Sequence, residues 1–279
     1  MAFPLVLALC CSVRAQTVND VQSKNGEKPV AEQPARDKAA VAEAREHVSK
    51  FAVTTVTEGR EVAVEMIERP LLLFGDAARL NEAGSLWGWG KTGRPVALLE
   101  LYRNVGPNEP WRHTVTLTSP SVVSMKGADG ASWSPRTSHF ELHDVLNTEP
   151  ASDKATVRLR QMKDISRRFE AHEFWDPDNS RFELRLLVQP VHRYSDAEAK
   201  LLDGAIFVLT HATNPEVLLF VEAHGAEAGA AAWKYGLVRM GDAELHVELD
   251  HREVWKQPRM RTRGTPTDPY WFFLSRDVP

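Results

Sequence analysis

Cysteine is nearly absent from this chain. It has two, Cys10 and Cys11, side by side near the N-terminus. Both fall in a segment expected to be removed on export, so the mature chain should hold no disulfide and no thiol. Thiol nucleophiles and cysteine-ligated zinc are thereby excluded. Long apolar runs are lacking as well. The apolar stretch from Phe3 to Cys11 covers nine residues, where a membrane span needs about 20, and no later stretch reaches that length. Basic excess is missing: 34 basic against 38 acidic side chains give a net charge of -4, which argues against nucleic-acid partners. No G-x-S-x-G elbow, phosphate-cradling loop, dinucleotide fingerprint or EF-hand loop occurs, so no cofactor is implied.

What remains is an ordinary globular composition, 279 residues with 43% hydrophobic and 26% charged. The apolar run ahead of Val13 and Ala15, small residues at the -3 and -1 positions of a cleavage site, reads as a signal peptide over 1–15. The expected location is secreted or periplasmic. Leu9 before Cys10 is too large for a lipoprotein signal. Residues 16–36 are polar and aperiodic and predict a flexible leader.

Val41, Ala44, Val48 and Phe51 recur at helical spacing, and so do Leu159, Met162, Ile165 and Phe169. They predict amphipathic helices over 37–51 and 153–175. Most of the rest alternates as strands joined by short turns, which require antiparallel neighbours. A shift of 120 residues aligns 70–102 with 190–222 at seven identities, among them Gly84/Gly204, Pro95/Pro215 and Leu98/Leu218. At a shift of 122, Trp111 meets Trp233. The fold expected from this is α+β: two duplicated units, 37–145 and 153–256, each a helix on an antiparallel sheet, packed by a pseudo-two-fold. Residues 257–279 form a polar linker and an apolar tail, Tyr270 to Leu274, that should dock as a last edge strand.

Two groups of residues invite chemistry. Trp87 and Trp89 share one face of a strand and could stack sugar rings as a ligand platform. Their partners at the 120 offset, Phe207 and Leu209, point instead to core packing. His139 with Glu141, and His246 with Glu248, alternate with apolar residues in the same way, and two facing strands could bring all four onto one metal. The same alternation is what any half-exposed strand shows.

The segments Gly93-Arg-Pro-Val-Ala-Leu-Leu-Glu-Leu-Tyr102, Arg158-Leu-Arg-Gln-Met-Lys-Asp-Ile-Ser-Arg-Arg-Phe-Glu-Ala-His172 and Trp233-Lys-Tyr-Gly-Leu-Val-Arg-Met240 resemble those of a family of secreted proteins common in planctomycete bacteria. The likeness spans about 60–256. It implies export and an α+β architecture, and brings with it no activity, ligand or site residue. The expectation is a secreted, non-catalytic binding or structural module acting on a ligand or an envelope protein. The alternative is a hydrolase or metal-dependent enzyme with its site between the two units.

Overall fold

A computed structural model describes residues 33–275 apart from 77–80, 105, 107–108, 128–129, 176–177, 226 and 228. The expected signal peptide and all but the last residues of the expected leader lie outside the described residues. A helix α1 (Gln33–Val48) opens the chain, followed by strands β1 (Ala52–Thr57), β2 (Arg60–Val64), β3 (Leu72–Asp76), β4 (Asn81–Trp89), β5 (Ala97–Asn104) and β6 (Trp111–Leu117). Three short strands follow, β7 (Val123–Lys126), β8 (Ser132–Trp133) and β9 (His143–Asp144). Then come α2 (Ala155–Ser166), β10 (Phe169–Trp175), β11 (Ser180–Asp196), β12 (Leu201–His211), β13 (Asn214–His224) and β14 (Ala232–Arg239). β15 (Glu244–Leu249), β16 (Arg252–Gln257) and β17 (Tyr270–Ser275) complete the order.

Among the described residues all the strand pairs are antiparallel, in sheets of four (β2-β1-β7-β8), eight (β16-β15-β10-β11-β12-β13-β14-β9) and five strands (β17-β6-β5-β4-β3). The middle strands read as unbroken apolar runs because they are covered on both faces. Leu86 and Leu98 of the five-stranded sheet pack against Ile206, Val208, Leu218 and Phe220 of the eight-stranded one. On the outer side of the five-stranded sheet, Trp87, Trp89 and Leu99 lie under Ala44 and Val48 of α1, and beside Met125 and Trp133 of the four-stranded sheet. On the outer side of the eight-stranded sheet, Phe207, Leu209 and Leu219 meet Met162 and Ile165 of α2. Among the described residues no helix is long and apolar enough to cross a membrane.

This architecture corrects the expected fold class. Strands occupy 53% of the described residues and helix only 10%, so the protein is β-rich, and two equal α+β helix-plus-sheet units are not what forms. The second helix ends at Ser166 instead of running to Trp175, because Phe169-Glu-Ala-His-Glu-Phe-Trp175 alternates at the period of a strand. Phe169 satisfies both periods, which hid the change. Val123–Lys126 and Ser132–Trp133 supply β7 and β8 to a third sheet, which the two-unit arrangement did not include. β9, expected to close the first unit, pairs with β14 of the eight-stranded sheet. The tail does dock as an edge strand, β17 on β6.

The 120 offset nevertheless relates pairing registers: Trp87 faces Leu99 and Phe207 faces Leu219, while Phe74 faces Gly84 and Tyr194 faces Gly204. Around the prolines the two meanders differ, Pro95 lying in the link 90–96 and Pro215 inside β13 after a two-residue turn. At both glycines an aromatic ring occupies the space a Cβ would need. Gly84→Ala and Gly204→Ala should each destabilise by about 1–3 kcal/mol, the cost of overpacking, because Phe74 and Tyr194 are both 6% exposed and have little room to retreat. Urea unfolding of the two variants checks this. Unchanged midpoints would show that the rings move aside freely.

Candidate functional site

A carboxylate taken out of water costs free energy unless it is hydrogen-bonded and compensated, so buried acids mark places where something other than packing is selected. Glu100 and Glu216 are 3% and 1% exposed. Each interrupts an apolar strand, Glu100 in Ala97–Asn104 and Glu216 in Asn214–His224. Alternation puts Glu100 with Leu98, and Glu216 with Leu218 and Phe220, on the two sheet faces that pack together. Both line one cavity of about 380 Å³ between the sheets, with Asp242 from the Gly241-Asp242 turn joining them.

The cavity is built from distant pieces of chain. On the five-stranded side, Glu100 faces Thr114, and Thr114 faces Phe272 of the tail strand. Opposite them, Asn214 Nδ2 donates to Glu216 Oε1 at 2.8 Å, and Met240 N donates to the Glu216 carbonyl oxygen at 2.8 Å. Gly241 leaves room for the Glu216 carboxylate, since a Cβ there would meet Glu216 Oε2 unless that side chain shifted. Trp175 supplies an aromatic wall. The segment read as a polar linker is an ordered strap that closes one side: Met260 N donates to the Asp242 carbonyl oxygen at 2.8 Å and Phe272 N to that of Arg263 at 2.8 Å.

Behind the acids, Arg239 is 9% exposed. Its guanidinium donates to the carbonyl oxygens of Gly241 (2.9 Å), Pro258 (3.1 Å) and Ala243 (2.9 Å), tying the turn to the strap. Burial pulls its pKa below the ordinary value, while Tyr270, Asp242 and Glu216 oppose that shift. Tyr270 is pushed well above the usual phenol range, first by burial and then by the charges of Glu100 and Asp242. It therefore stays protonated, donating to the Met240 carbonyl oxygen at 3.2 Å. The site thus combines acceptors on the sheets, donors from Asn214, Thr114 and the strap arginines Arg261 and Arg263, and aromatic walls.

The residues singled out from sequence lie elsewhere. Trp87 and Trp89 are 0% and 1% exposed, and Trp87 Nε1 donates to Ser85 Oγ at 2.9 Å. They are core under α1 and offer no surface to a ligand. The four proposed metal ligands do not converge. His246 is taken up by Glu253 (Nδ1, 2.7 Å) and Glu244 (Nε2, 3.0 Å) and stacks on His172 at 4.6 Å. Glu248 lies with Glu170 and His251, their ligand atoms within 4.8 Å of one another. Glu141 lies against Gly236 of β14, five strands from β15 in the sheet, and His139 is two residues before it. One signal could have pointed to the cavity: an acid within an otherwise apolar stretch of strand, as at Glu100 and Glu216. Comparison of the chain with family models, with curated proteins and with solved structures gives no match.

Proposed function

We propose that this is an exported binding module whose cavity between the sheets takes a small hydroxyl-rich ligand of one or two sugar rings, with no chemistry performed on it. The observation that carries the reading is the pair Glu100 and Glu216, buried on facing sheets around one cavity. A volume of about 380 Å³ falls in the range of small-molecule sites. Hydroxyl groups both donate and accept, so they suit a lining of carboxylates, amide and guanidinium groups, and the faces of Trp175 and Phe272 suit the apolar side of a sugar ring.

Calorimetric titration with a panel of methyl glycosides and disaccharides tests this. Saturable binding is expected, weakened ten- to hundredfold in Glu216→Gln and in Glu100→Gln. That follows from about 1.5–3 kcal/mol for a hydrogen bond to a charged group. A ligand at 100 times its Kd should also raise stability by about 2.7 kcal/mol. A panel without binding or thermal stabilisation would sink the reading.

The facing carboxylates favour one second reading, a glycoside hydrolase in which one acid protonates the leaving group and the other activates water or attacks carbon. Release of p-nitrophenol from aryl glycosides, lost in both glutamine variants, would replace binding by catalysis. Binding with no release keeps the first reading.

A further inference from the structure

A second, larger cavity of about 510 Å³ lies on the other side of the five-stranded sheet, between its β3 end and α1. Ala40 and Ala44 of α1 form its roof, Leu73 and Ala83 its floor, and Trp111 one end. The 120 offset shows what this space contains in the other meander. There Leu73 and Ala83 become Arg193 and Asp203, and the corresponding space is filled by a charged plug. Asp203, 3% exposed, accepts from Arg158 Nε of α2 (2.7 Å) and from Arg193 Nε (2.8 Å) and Nη2 (2.6 Å). Arg193 also donates to the Ala155 carbonyl oxygen at 2.7 Å, which closes the helix onto the sheet.

Among the described residues the first meander has no such plug, and its apolar floor is left uncovered: Leu73 is 52% exposed, although its strand partner Ser85 is buried. An exposed leucine inside a concave site is apolar surface that gains free energy in proportion to the area a ligand covers. The two charges lining the cavity, Glu43 and Arg103, are paired at 2.8 Å, and the Arg103 guanidinium lies 3.8 Å above the Trp111 ring. They cancel, so complementarity selects an occupant without net charge. We infer that this cavity is a second binding site, for an uncharged, largely apolar small molecule seated on Leu73, Ala83 and Trp111 beneath α1.

Titration of the full chain with N-phenyl-1-naphthylamine, an uncharged probe that brightens in apolar surroundings, tests the site. Saturable one-to-one binding is expected, weakened at least tenfold when the plug of the other meander is transplanted as Leu73→Arg with Ala83→Asp. If that variant does not fold, Ala83→Phe fills the same space and should lose the probe equally while melting at or above the wild-type temperature. No saturable signal in the wild type overturns the inference. So does equal binding by a cooperatively folded filled variant, because the probe would then sit elsewhere. Binding that appears only in a chain beginning at Gln33 would assign the cavity to the chain's own preceding segment, and that too overturns it.

Discussion

Glu222→Ala should cost about 3–5 kcal/mol of folding stability, the range for removing one partner from a buried charge pair. The Glu222 side chain is 0% exposed. It accepts two bonds from Arg94, at Nε (2.7 Å) and Nη2 (2.8 Å), a third from Tyr194 Oη (2.6 Å), and pairs with His224 Nε2 at 2.7 Å. Arg94 belongs to the link between β4 and β5, whereas Glu222, Tyr194 and His224 belong to the eight-stranded sheet, so the network clasps the two sheets beside their shared core. Alanine leaves the Arg94 guanidinium buried over the Phe140 ring, 4.3 Å from its centre, without its anion.

The same residue sets an acid limit. Burial pushes the Glu222 carboxyl up, but the bonds from Arg94, His224 and Tyr194 outweigh it and hold the pKa at about 2. A carboxyl depressed in the folded state contributes stability that is fully present above its ordinary value of 4.5 and is lost as pH falls toward about 2. A drop from 4.5 to about 2 corresponds to about 3 kcal/mol at 1.36 kcal/mol per unit. Urea midpoints measured from pH 6 down to pH 2 should therefore fall more steeply in the wild type than in Glu222→Gln. An alanine variant within about 1 kcal/mol of wild type, or identical acid slopes, would show that the clasp is not what holds the sheets together.

How much of this was legible in the sequence follows from where each signal resides. Strand alternation and short turns are local, and they predicted antiparallel strands over most of the chain, as is found. The period of α2 was local too, but Phe169 fits a helix and a strand equally well, so the boundary at Ser166 could not be read. β8 and β9 span two residues each, too few to alternate, and their pairing is decided by neighbours far along the chain. That is why the β-rich balance and the third sheet were missed. The cavity between the sheets joins Glu100, Glu216, Asp242 and Tyr270, and such a convergence leaves no motif. The alternation that drew attention to His246 and Glu248 had an ordinary cause, a strand whose polar side chains share one face and pair there, His246 with Glu244 and Glu253. The offset of 120 matched strand registers, setting Trp87 against Phe207 and Ala83 against Asp203, but it did not foretell the fold, because the helix-plus-sheet units it implies do not form.

The Trp87 and Phe207 correspondence leads to the second large effect. Both side chains are fully buried in their sheets, one under α1 and the other under α2. Truncation to alanine removes the transfer free energy of a large aromatic group and leaves a cavity that close-packed neighbours fill only in part. Trp87→Ala and Phe207→Ala should each cost about 3–5 kcal/mol, a fall of roughly 5–10 °C in Tm for a chain of this size. Trp87→Ala carries a further loss, because Ser85 Oγ, itself in a residue 3% exposed, no longer receives the indole N–H. Trp87→Phe should recover most of the packing and fall well short of the alanine cost. A stacking platform predicts the opposite pattern: alanine would weaken sugar binding and spare the melting temperature, since an exposed ring contributes little to folding. Measuring Tm and glycoside affinity on the same three variants separates the two roles. A Trp87→Ala chain that melts with the wild type would mean the indole is not held in the core, and the shared register of the two meanders would no longer explain why both positions are large and apolar.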